Sequence, residues 1–285
     1  TLRRDHLSLY GAGRATSPCL DGLADAGLVF ERAWSCAPWT PSAHASILTG
    51  RLPSEHGCDG DQRRFPADVA TLPELLRAHG YRTLGAASNP HLSRSLGWSR
   101  GFDDYAEGWQ RAPSSICRLL SHAGPGGERR LFHGDAPRSL RELRRWWARA
   151  GDRPRFALVN LIDPHSPYGD SPGGACFLEE RTRAAPDLPH DSERYDAGLV
   201  RADGVPLERV VALYDGDVRS VDAELGGFFR WLEARGELEG ALVVVTADHG
   251  ERLGEGGRLG HQLGLDEVLL RVPLIVRCPA LFAPG

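Results

Sequence analysis

Short apolar runs alternate along the chain with longer segments in which apolar residues recur every three or four positions. The short runs predict β-strands over residues 28–32, 81–87, 156–162, 241–246 and 273–276. The clearest helical pattern covers residues 206–234, and shorter ones cover 18–26, 73–79 and 137–150. This alternation is typical of an α/β fold in which helices cover both faces of a sheet.

Two of the apolar runs carry almost no polar residues. The segments 156–162 and 242–245 therefore predict strands that are buried on both faces of a parallel sheet. In contrast, residues 124–129 and 168–205 are rich in glycine, proline and charged residues. These two segments predict loops that are available to line a site.

Composition excludes several classes of protein. The chain has 285 residues, of which 41% are hydrophobic and 25% charged, as expected of a folded protein with a packed core. The net charge of -4, with arginines interleaved among acids, indicates no nucleic-acid partner. No apolar run approaches the roughly 18 residues of a membrane span, so none is expected within this chain. The cysteines include no C-x-x-C pair, which excludes a zinc ribbon.

Polar residues that follow apolar runs are candidates for a site, because ligands bind at the carboxyl ends of strands in open α/β sheets. Asp248 and His249 directly follow the run 241–246. A carboxylate and an imidazole can share one divalent cation where the chain turns sharply, and Gly250 permits such a turn. Alternatively, Asp248 caps a following helix and His249 is solvated.

Two further segments carry candidate groups. His165 lies between two prolines after the run 156–162, as a ligand or as a solvated loop histidine. Thr40 precedes Pro41, near the start of a helix that we expect to begin about Ser42. Thr40 is either a helix cap or a nucleophile that a metal activates and that faces the positive end of the helix.

Taken together, these motifs resemble the sulfatase family of the alkaline phosphatase superfamily. The matching segments are residues 1–11, 40–51, 163–168, 246–251 and 270–276. The resemblance implies an alkaline-phosphatase-like α/β fold, with a mixed, mostly parallel sheet between helices. It also implies a single catalytic domain over 1–285 that lacks the first strand, one metal-binding aspartate and the C-terminal subdomain.

The resemblance also implies roles for individual residues. Thr40 occupies the position of the cysteine that the family matures to formylglycine, whereas Cys36 is four residues out of register. The implied ligands of one divalent cation, Ca²⁺, Mg²⁺ or Mn²⁺, are Asp248, His249 and Thr40. The residues that hold the ester anion or assist its leaving group are His165 and His261, and the implied substrate contacts are His44, Asn89 and Arg51.

This sequence departs from the family at two elements, and the departures widen the possible chemistry. Ser88, Asn89 and Pro90 replace a Lys-x-His element. Thr40 has a single hydroxyl, so its ester must be opened by water or another acceptor, a route open to phosphoryl esters. We therefore expect hydrolysis of sulfate or phosphate esters on a small molecule, glycan or lipid. A phosphoglycerol transferase or phosphodiesterase of the same superfamily is the alternative.

Other interpretations rest on single features. Residues 97–101 fit the G-x-S-x-G elbow around Ser99, although their polar surroundings do not suit it. Loss of family residues is compatible with an inert sulfatase-like binding domain. Asp215 and Asp222 are interpreted as structural acids rather than a second metal site. Glu251 and Glu255 are interpreted as solvated, with Glu251 able to orient His249.

Overall fold

The computed structural model describes residues 1–60, 63–109, 136–188 and 192–281. The chain divides into two compact units, which we call the first unit (residues 1–38 and 163–285) and the second unit (residues 39–162). The described strands are β1 (Leu28–Val29), β2 (Arg82–Ala87), β3 (Asp104–Glu107), β4 (Arg155–Asn160), β5 (Val243–Thr246), β6 (Arg252–Leu253), β7 (Leu259–Gly260) and β8 (Leu274–Arg277).

Helices flank the strands in both units. The described α-helices are α1 (Pro18–Ala24), α2 (Thr40–Thr49), α3 (Pro53–His56), α4 (Leu72–Ala78), α5 (Ala136–Trp147), α6 (Glu180–Arg183), α7 (Ser192–Asp196), α8 (Gly204–Glu233) and α9 (Glu267–Leu270). Proline lies in the first turn of α1, α2 and α4, where its missing N–H has no partner to lose.

The first unit is built on an antiparallel sheet in the order β1–β8–β5. Helix α8 packs on α1, and the apolar faces of both meet the inner side of the sheet. The buried residues of this core are Leu7, Leu20, Leu23, Tyr214, Val218, Leu253 and Ile275. The pattern of α8 repeats at helical spacing, and this is why one long helix covers the core.

The second unit is built on a parallel sheet in the order β3–β2–β4. Its core includes Ala45, Leu48, Cys58, Phe65, Ala87, Leu92, Trp98, Phe102 and Tyr105. Ala87 pairs with Asn160 in the register of β2 and β4. The carboxyl ends of these two strands therefore lie side by side.

The α/β class is confirmed, with parallel pairing in the sheet of the second unit and antiparallel pairing in that of the first. Each predicted strand and each of the longer predicted helices is present, with ends that differ by a few residues. The expectation for 242–245 is wrong, because β5 pairs antiparallel with β8 and Leu242 and Val244 are exposed. Only one face of β5 contacts the core, since its alternate side chains point to opposite faces.

The irregular segments differ from expectation in two places. Strand β3 begins at Asp104, where no strand was predicted, because its backbone pairs with β2. Helices α6 and α7 interrupt the segment 168–205. The predicted loop 124–129 lies outside the described residues. No helix in the described ranges is long and apolar enough to cross a membrane.

Candidate functional site

Asp248 and His249 follow β5 directly and face each other in the first unit. Oδ1 of Asp248 accepts a hydrogen bond from the His249 backbone N–H at 2.9 Å. Nε2 of His249 lies 3.4 Å from Oδ2 of Asp248. His249 is fully buried, and the next element is β6 rather than a helix. The helix-cap interpretation of this pair is therefore wrong.

The surroundings of His249 give its ring the form that binds metals. Its Nδ1 lies 2.9 Å from the Gly250 carbonyl oxygen, which can only accept, so Nδ1 carries the proton. Burial holds the pKa of His249 well below its ordinary value, and the Asp248 carboxylate acts in the opposite direction. The ring is therefore neutral and presents the Nε2 lone pair toward Asp248.

A carboxylate beside a neutral imidazole has the donor chemistry of a divalent cation site. Asp248 and His249 supply two such donors. Within the described ranges, no group of three or more His, Cys, Asp or Glu side chains is arranged to hold a metal. The two residues fit a cation in donor type.

A close backbone approach, rather than the expected sharp turn, requires glycine at position 250. Its backbone is not left-handed, but a Cβ at this position would lie 1.9 Å from the Val268 carbonyl oxygen. The Gly250 N–H donates to the Leu269 carbonyl at 2.7 Å. The absence of a side chain at Gly250 lets α9 (Glu267–Leu270) approach the metal-ligand candidates closely.

Two more histidines meet His249 in the first unit. Nε2 of His261 lies 3.4 Å from Nε2 of His165, and the rings of His261 and His249 are 4.2 Å apart between centroids. Nδ1 of His261 lies 3.0 Å from the Pro38 carbonyl oxygen, and Nδ1 of His165 lies 2.7 Å from that of Ser166. The rings of His165 and His261 are thus each oriented through Nδ1, and their Nε2 atoms face each other.

The structure therefore brings together Asp248, His249, His165 and His261 from three separate segments. The peptide bonds before Pro164 and Pro167 are both cis, and they flank His165. His261 is 5% exposed, so the surrounding protein excludes most solvent from its ring. A buried group of imidazoles beside a carboxylate can bind a cation and an anionic ester together.

Thr40 lies in the second unit, as the first residue of α2. The helix begins two residues earlier than expected, and Trp39 rather than Thr40 occupies the cap position. The helix-cap interpretation of Thr40 is therefore wrong. Thr40 is 4% exposed and lies at the positive end of the helix dipole, where an anion is favoured.

His44 lies one turn after Thr40 and is buried. Its Nδ1 lies 3.0 Å from the Thr40 carbonyl oxygen, and its Nε2 lies 3.2 Å from Nδ2 of Asn160. Asn160 was not among the site residues predicted from the sequence. Its position, as a polar residue at the carboxyl end of an apolar run, could have identified it.

The other two predicted substrate contacts also belong to the second unit. Asn89 is 7% exposed, and its Oδ1 accepts from the His91 N–H at 2.9 Å, which caps the short helix Pro90–Leu92. Its amide NH₂ group is not used in that cap. Arg51 is exposed and directly follows α2 and its terminal Gly50.

Glu251 was interpreted as solvated, and this interpretation is wrong. It is 1% exposed and is hydrogen bonded to Tyr168. Burial raises the pKa of the Glu251 carboxyl, whereas His261 acts in the opposite direction. Glu255 is exposed, as expected, and accepts from Arg3 Nη1 at 2.6 Å. Neither set of partners is close in sequence, so no local pattern could identify them.

Asp215 and Asp222 are structural acids, as expected. Asp215 is paired with His6 Nδ1 and Arg14 Nη1, both at 2.6 Å. Asp222 accepts from the backbone N–H groups of Cys19 and Leu20 at 3.0 and 2.9 Å. It therefore caps α1 from a distance of about 200 positions in sequence, a role that Ser17 does not fill.

The rival nucleophiles lack the geometry that they would need. A short helix, Arg94–Leu96, precedes Ser99 and the strand β3 follows it, whereas the elbow requires a strand before and a helix after. Cys36 is exposed and belongs to an irregular segment of the first unit. Neither residue has the setting of an activated nucleophile.

Comparison with known proteins gives concordant matches. The family model described as Sulfatase matches residues 1–284. The chain is 26% identical over 245 residues to the low-salt glycan biosynthesis sulfotransferase Agl7 of Haloferax volcanii, covering 84% of this chain and 46% of that protein. It is 32% identical over 333 residues to the multifunctional alkaline phosphatase superfamily protein PehA of Trinickia caryophylli, covering 92% and 62%.

A solved structure shows the same fold. The phosphonate monoester hydrolase of Agrobacterium radiobacter superposes with a TM-score of 0.74 at 20% identity, covering 98% of this chain and 66% of that one. At this identity the likeness establishes the fold alone. The chain spans about half to two thirds of the length of the proteins it matches.

Proposed function

The chain belongs to the sulfatase family, and from this premise we propose that it is a metal-dependent enzyme that cleaves sulfate or phosphate esters with Thr40 as nucleophile. The observation that best supports this is the meeting of Asp248 and His249 with His165 and His261 in one group, in which His249 and His261 are buried. Such a group pairs cation donors with imidazoles that can act on an ester. The substrate is a small-molecule, glycan-linked or lipid-linked ester.

The proposed reaction begins with attack by Oγ1 of Thr40 on sulfur or phosphorus. A divalent cation, Ca²⁺, Mg²⁺ or Mn²⁺, supplies activation of a hydroxyl and stabilisation of negative charge when bound. Asp248 and His249 would hold it, with Thr40 as a further ligand. The position of Thr40 at the start of α2 favours an anion near its hydroxyl, and Asn89 and Arg51 are the proposed substrate contacts.

His165 and His261 act on the leaving group in this proposal. As Oγ1 of Thr40 bonds to sulfur or phosphorus, its hydroxyl proton passes to solvent. The bond to the ester oxygen breaks, and that oxygen takes a proton from Nε2 of one of the two rings in its imidazolium form. Their Nε2 atoms are suited to this task because Nδ1 of each ring is held by a backbone carbonyl. A water then attacks the Thr40 ester and gives a proton to that Nε2, while Oγ1 of Thr40 leaves and takes a proton from solvent.

Transfer to another alcohol is a second candidate, favoured by the single hydroxyl of Thr40. A threonine ester has no second oxygen with which to expel the group, so an external acceptor must open it. That acceptor is water in a hydrolase and an alcohol in a transferase. The similarity to Agl7, whose name describes a sulfotransferase, supports testing alcohols as acceptors.

Activity assays on the purified protein test the proposal. We expect turnover of 4-nitrophenyl sulfate, 4-nitrophenyl phosphate or bis(4-nitrophenyl) phosphate with one of the three cations, and a loss of at least about 1000-fold in Thr40→Ala, since the nucleophile is removed. Thr49→Ala is the matched control, because it makes the same chemical change at the other end of α2. Added glycerol separates hydrolysis from transfer by the product that forms.

Two results would contradict the proposal. Activity that survives Thr40→Ala excludes this nucleophile. Absence of turnover, together with calorimetric titrations of Ca²⁺, Mg²⁺ and Mn²⁺ that show no heat of binding and no change in Asp248→Ala, supports an inert binding domain instead.

A further inference from the structure

We propose that Asn160 and His44 form a positioning pair that orients Thr40, an inference that rests on the proposed role of Thr40 as nucleophile. The pair connects the end of a strand to the first turn of a helix. Nδ2 of Asn160 lies 3.2 Å from Nε2 of His44, and Nδ1 of His44 lies 3.0 Å from the Thr40 carbonyl oxygen. All three residues belong to the second unit.

The donors and acceptors among Asn160, His44 and Thr40 can be assigned by starting from the Thr40 carbonyl oxygen. A carbonyl oxygen only accepts, so Nδ1 of His44 carries a proton and donates to Thr40. In the neutral ring, Nε2 then has a lone pair and must accept. Asn160 meets that requirement with its NH₂ group, and hydrogen bonds therefore run in one direction from Asn160 through His44 to Thr40.

The other half of the Asn160 amide supports this assignment. Oδ1 of Asn160 is buried and has no hydrogen-bond partner among the described residues. Leaving a buried acceptor unsatisfied costs stability. The need of His44 Nε2 for a donor therefore sets the orientation of the Asn160 amide, even though Oδ1 of Asn160 is left without a partner among the described residues.

Neighbouring structure fixes both Asn160 and His44. Asn160 is the last residue of β4 and pairs with Ala87 of β2. The ring of His44 meets Trp98 edge-on at 6.5 Å between centroids, so it is held from a second side. Because His44 bonds the carbonyl of Thr40, the pair restrains the peptide that carries the proposed nucleophile.

This role replaces a direct contact of His44 with substrate. Both ring nitrogens of His44 already have protein partners, and the ring is buried. A displacement of about 1 Å in a catalytic group can cost on the order of 100-fold in rate. Losing the pair should therefore lower kcat, because it misaligns Thr40, and should leave KM nearly unchanged, because no substrate contact is lost.

A double-mutant cycle tests the pair. Asn160→Leu removes the amide with little change of shape, and His44→Phe removes both ring nitrogens. We expect each to lower kcat for the best aryl ester by about 10- to 100-fold, with KM within about twofold. If Asn160 and His44 act through the same hydrogen bonds to Thr40, kcat of the double variant is no lower than that of the slower single variant. Asn160→His, which keeps an N–H at the same distance from Cβ, should restore most of kcat.

A spectroscopic measurement tests the contact without activity. Nitrogen-15 NMR of the imidazoles in the protein without added metal should show His44 protonated at Nδ1, with an Nε2 resonance that moves in Asn160→Leu. Ser139→Ala removes another buried polar group of the second unit and should leave this resonance in place. A His44 ring protonated at Nε2 alone overturns the proposal.

The rate at which Thr40 becomes modified separates this inference from the proposed function. Mass spectrometry after rapid quenching measures the ester on Thr40 in the wild type and in Asn160→Leu. An unmodified Thr40 in an active wild type overturns the nucleophile, and the positioning role with it. Modification of the wild type at the same rate as Asn160→Leu, or additive losses in the double variant, overturns the positioning pair alone.

Discussion

The Nε2 atoms of His165 and His261 lie 3.4 Å apart, while each ring is held through Nδ1 by a backbone carbonyl. Backbone carbonyls do not titrate, so these hydrogen bonds hold both rings in this arrangement. Two imidazoles with Nε2 atoms at this separation can act on the same substrate oxygen. Their contribution should therefore depend on how much protonation the leaving oxygen needs.

The leaving-group dependence of His261→Ala gives the first prediction. The rate should fall by about 100-fold or more for a methyl or ethyl ester, whose alkoxide must be protonated, and by less than about 10-fold for a 4-nitrophenyl ester. Steady-state kinetics on the matched esters measures the difference. Equal losses on both would show that His261 binds the anion and does not assist the leaving oxygen.

The second prediction concerns the stability of the first unit as a function of pH. Asp217 accepts hydrogen bonds from the Gly169 N–H at 2.6 Å and from Ser171. Burial nevertheless raises the pKa of the Asp217 carboxyl from 3.8 to about 6. The folded protein thus binds this proton more tightly than the unfolded chain does. The stabilisation is complete below about pH 4 and is lost as the pH rises through about 6.

Urea unfolding of the wild type and Asp217→Asn at pH 7.5 and pH 5.0 tests this sign. Asparagine does not titrate, and the variant keeps every other acid. The difference between the two proteins therefore isolates the contribution of Asp217. We expect the free energy of unfolding of the wild type to gain about 1 kcal/mol relative to Asp217→Asn at the lower pH. A relative loss at pH 5.0 would mean that the hydrogen bonds to the carboxylate outweigh its burial.

Gly250→Ala gives the third prediction. A Cβ at this position would lie 1.9 Å from the Val268 carbonyl oxygen, so the backbone between the metal-ligand candidates and α9 must move. We expect a loss of about 2–3 kcal/mol in the free energy of unfolding. Gly240→Ala is the control, because a Cβ there meets nothing within 4 Å. Similar stabilities of the two variants would refute the close approach.

The fourth prediction concerns the cap that α8 places on α1. Asp222→Ala removes the acceptor for the Cys19 and Leu20 N–H groups, and we expect a loss of about 1–2 kcal/mol in the free energy of unfolding. Glu233→Ala changes an exposed acid at the end of the same helix and should be nearly neutral. Chemical denaturation measures both, and equal effects would contradict the capping role.

Local pattern predicted the elements whose residues repeat strongly. Helix α8 was visible because its apolar residues recur at helical spacing, and strand β4 because its apolar run is short and nearly unbroken. Strand β3 was not, since Asp104 and Glu107 give it a polar sequence and only pairing with β2 makes it a strand. The burial pattern of β5 was also missed, because an apolar run does not reveal how many of its faces are covered.

The same division holds for the site. Asp248 and His249 were found because they follow an apolar run directly, and strand ends are where ligands bind. Glu251 is buried, and the residues that act on the pKa of its carboxyl, His261 and Tyr168, come from other parts of the chain. The contact between His44 and Asn160 joins residues 116 positions apart. Contacts at such separations depend on tertiary packing, which a single sequence does not display.

Helix α8 does more than cover the core, because successive polar side chains on it bind different parts of the chain. The Tyr214 hydroxyl bonds the backbone of residues 1 and 3, Asp217 bonds residues 169 and 171, and Asp222 bonds the start of α1. These segments therefore cannot open one at a time without breaking a bond to the same helix. In native-state hydrogen exchange they should lose protection together with α8, as one cooperative unit.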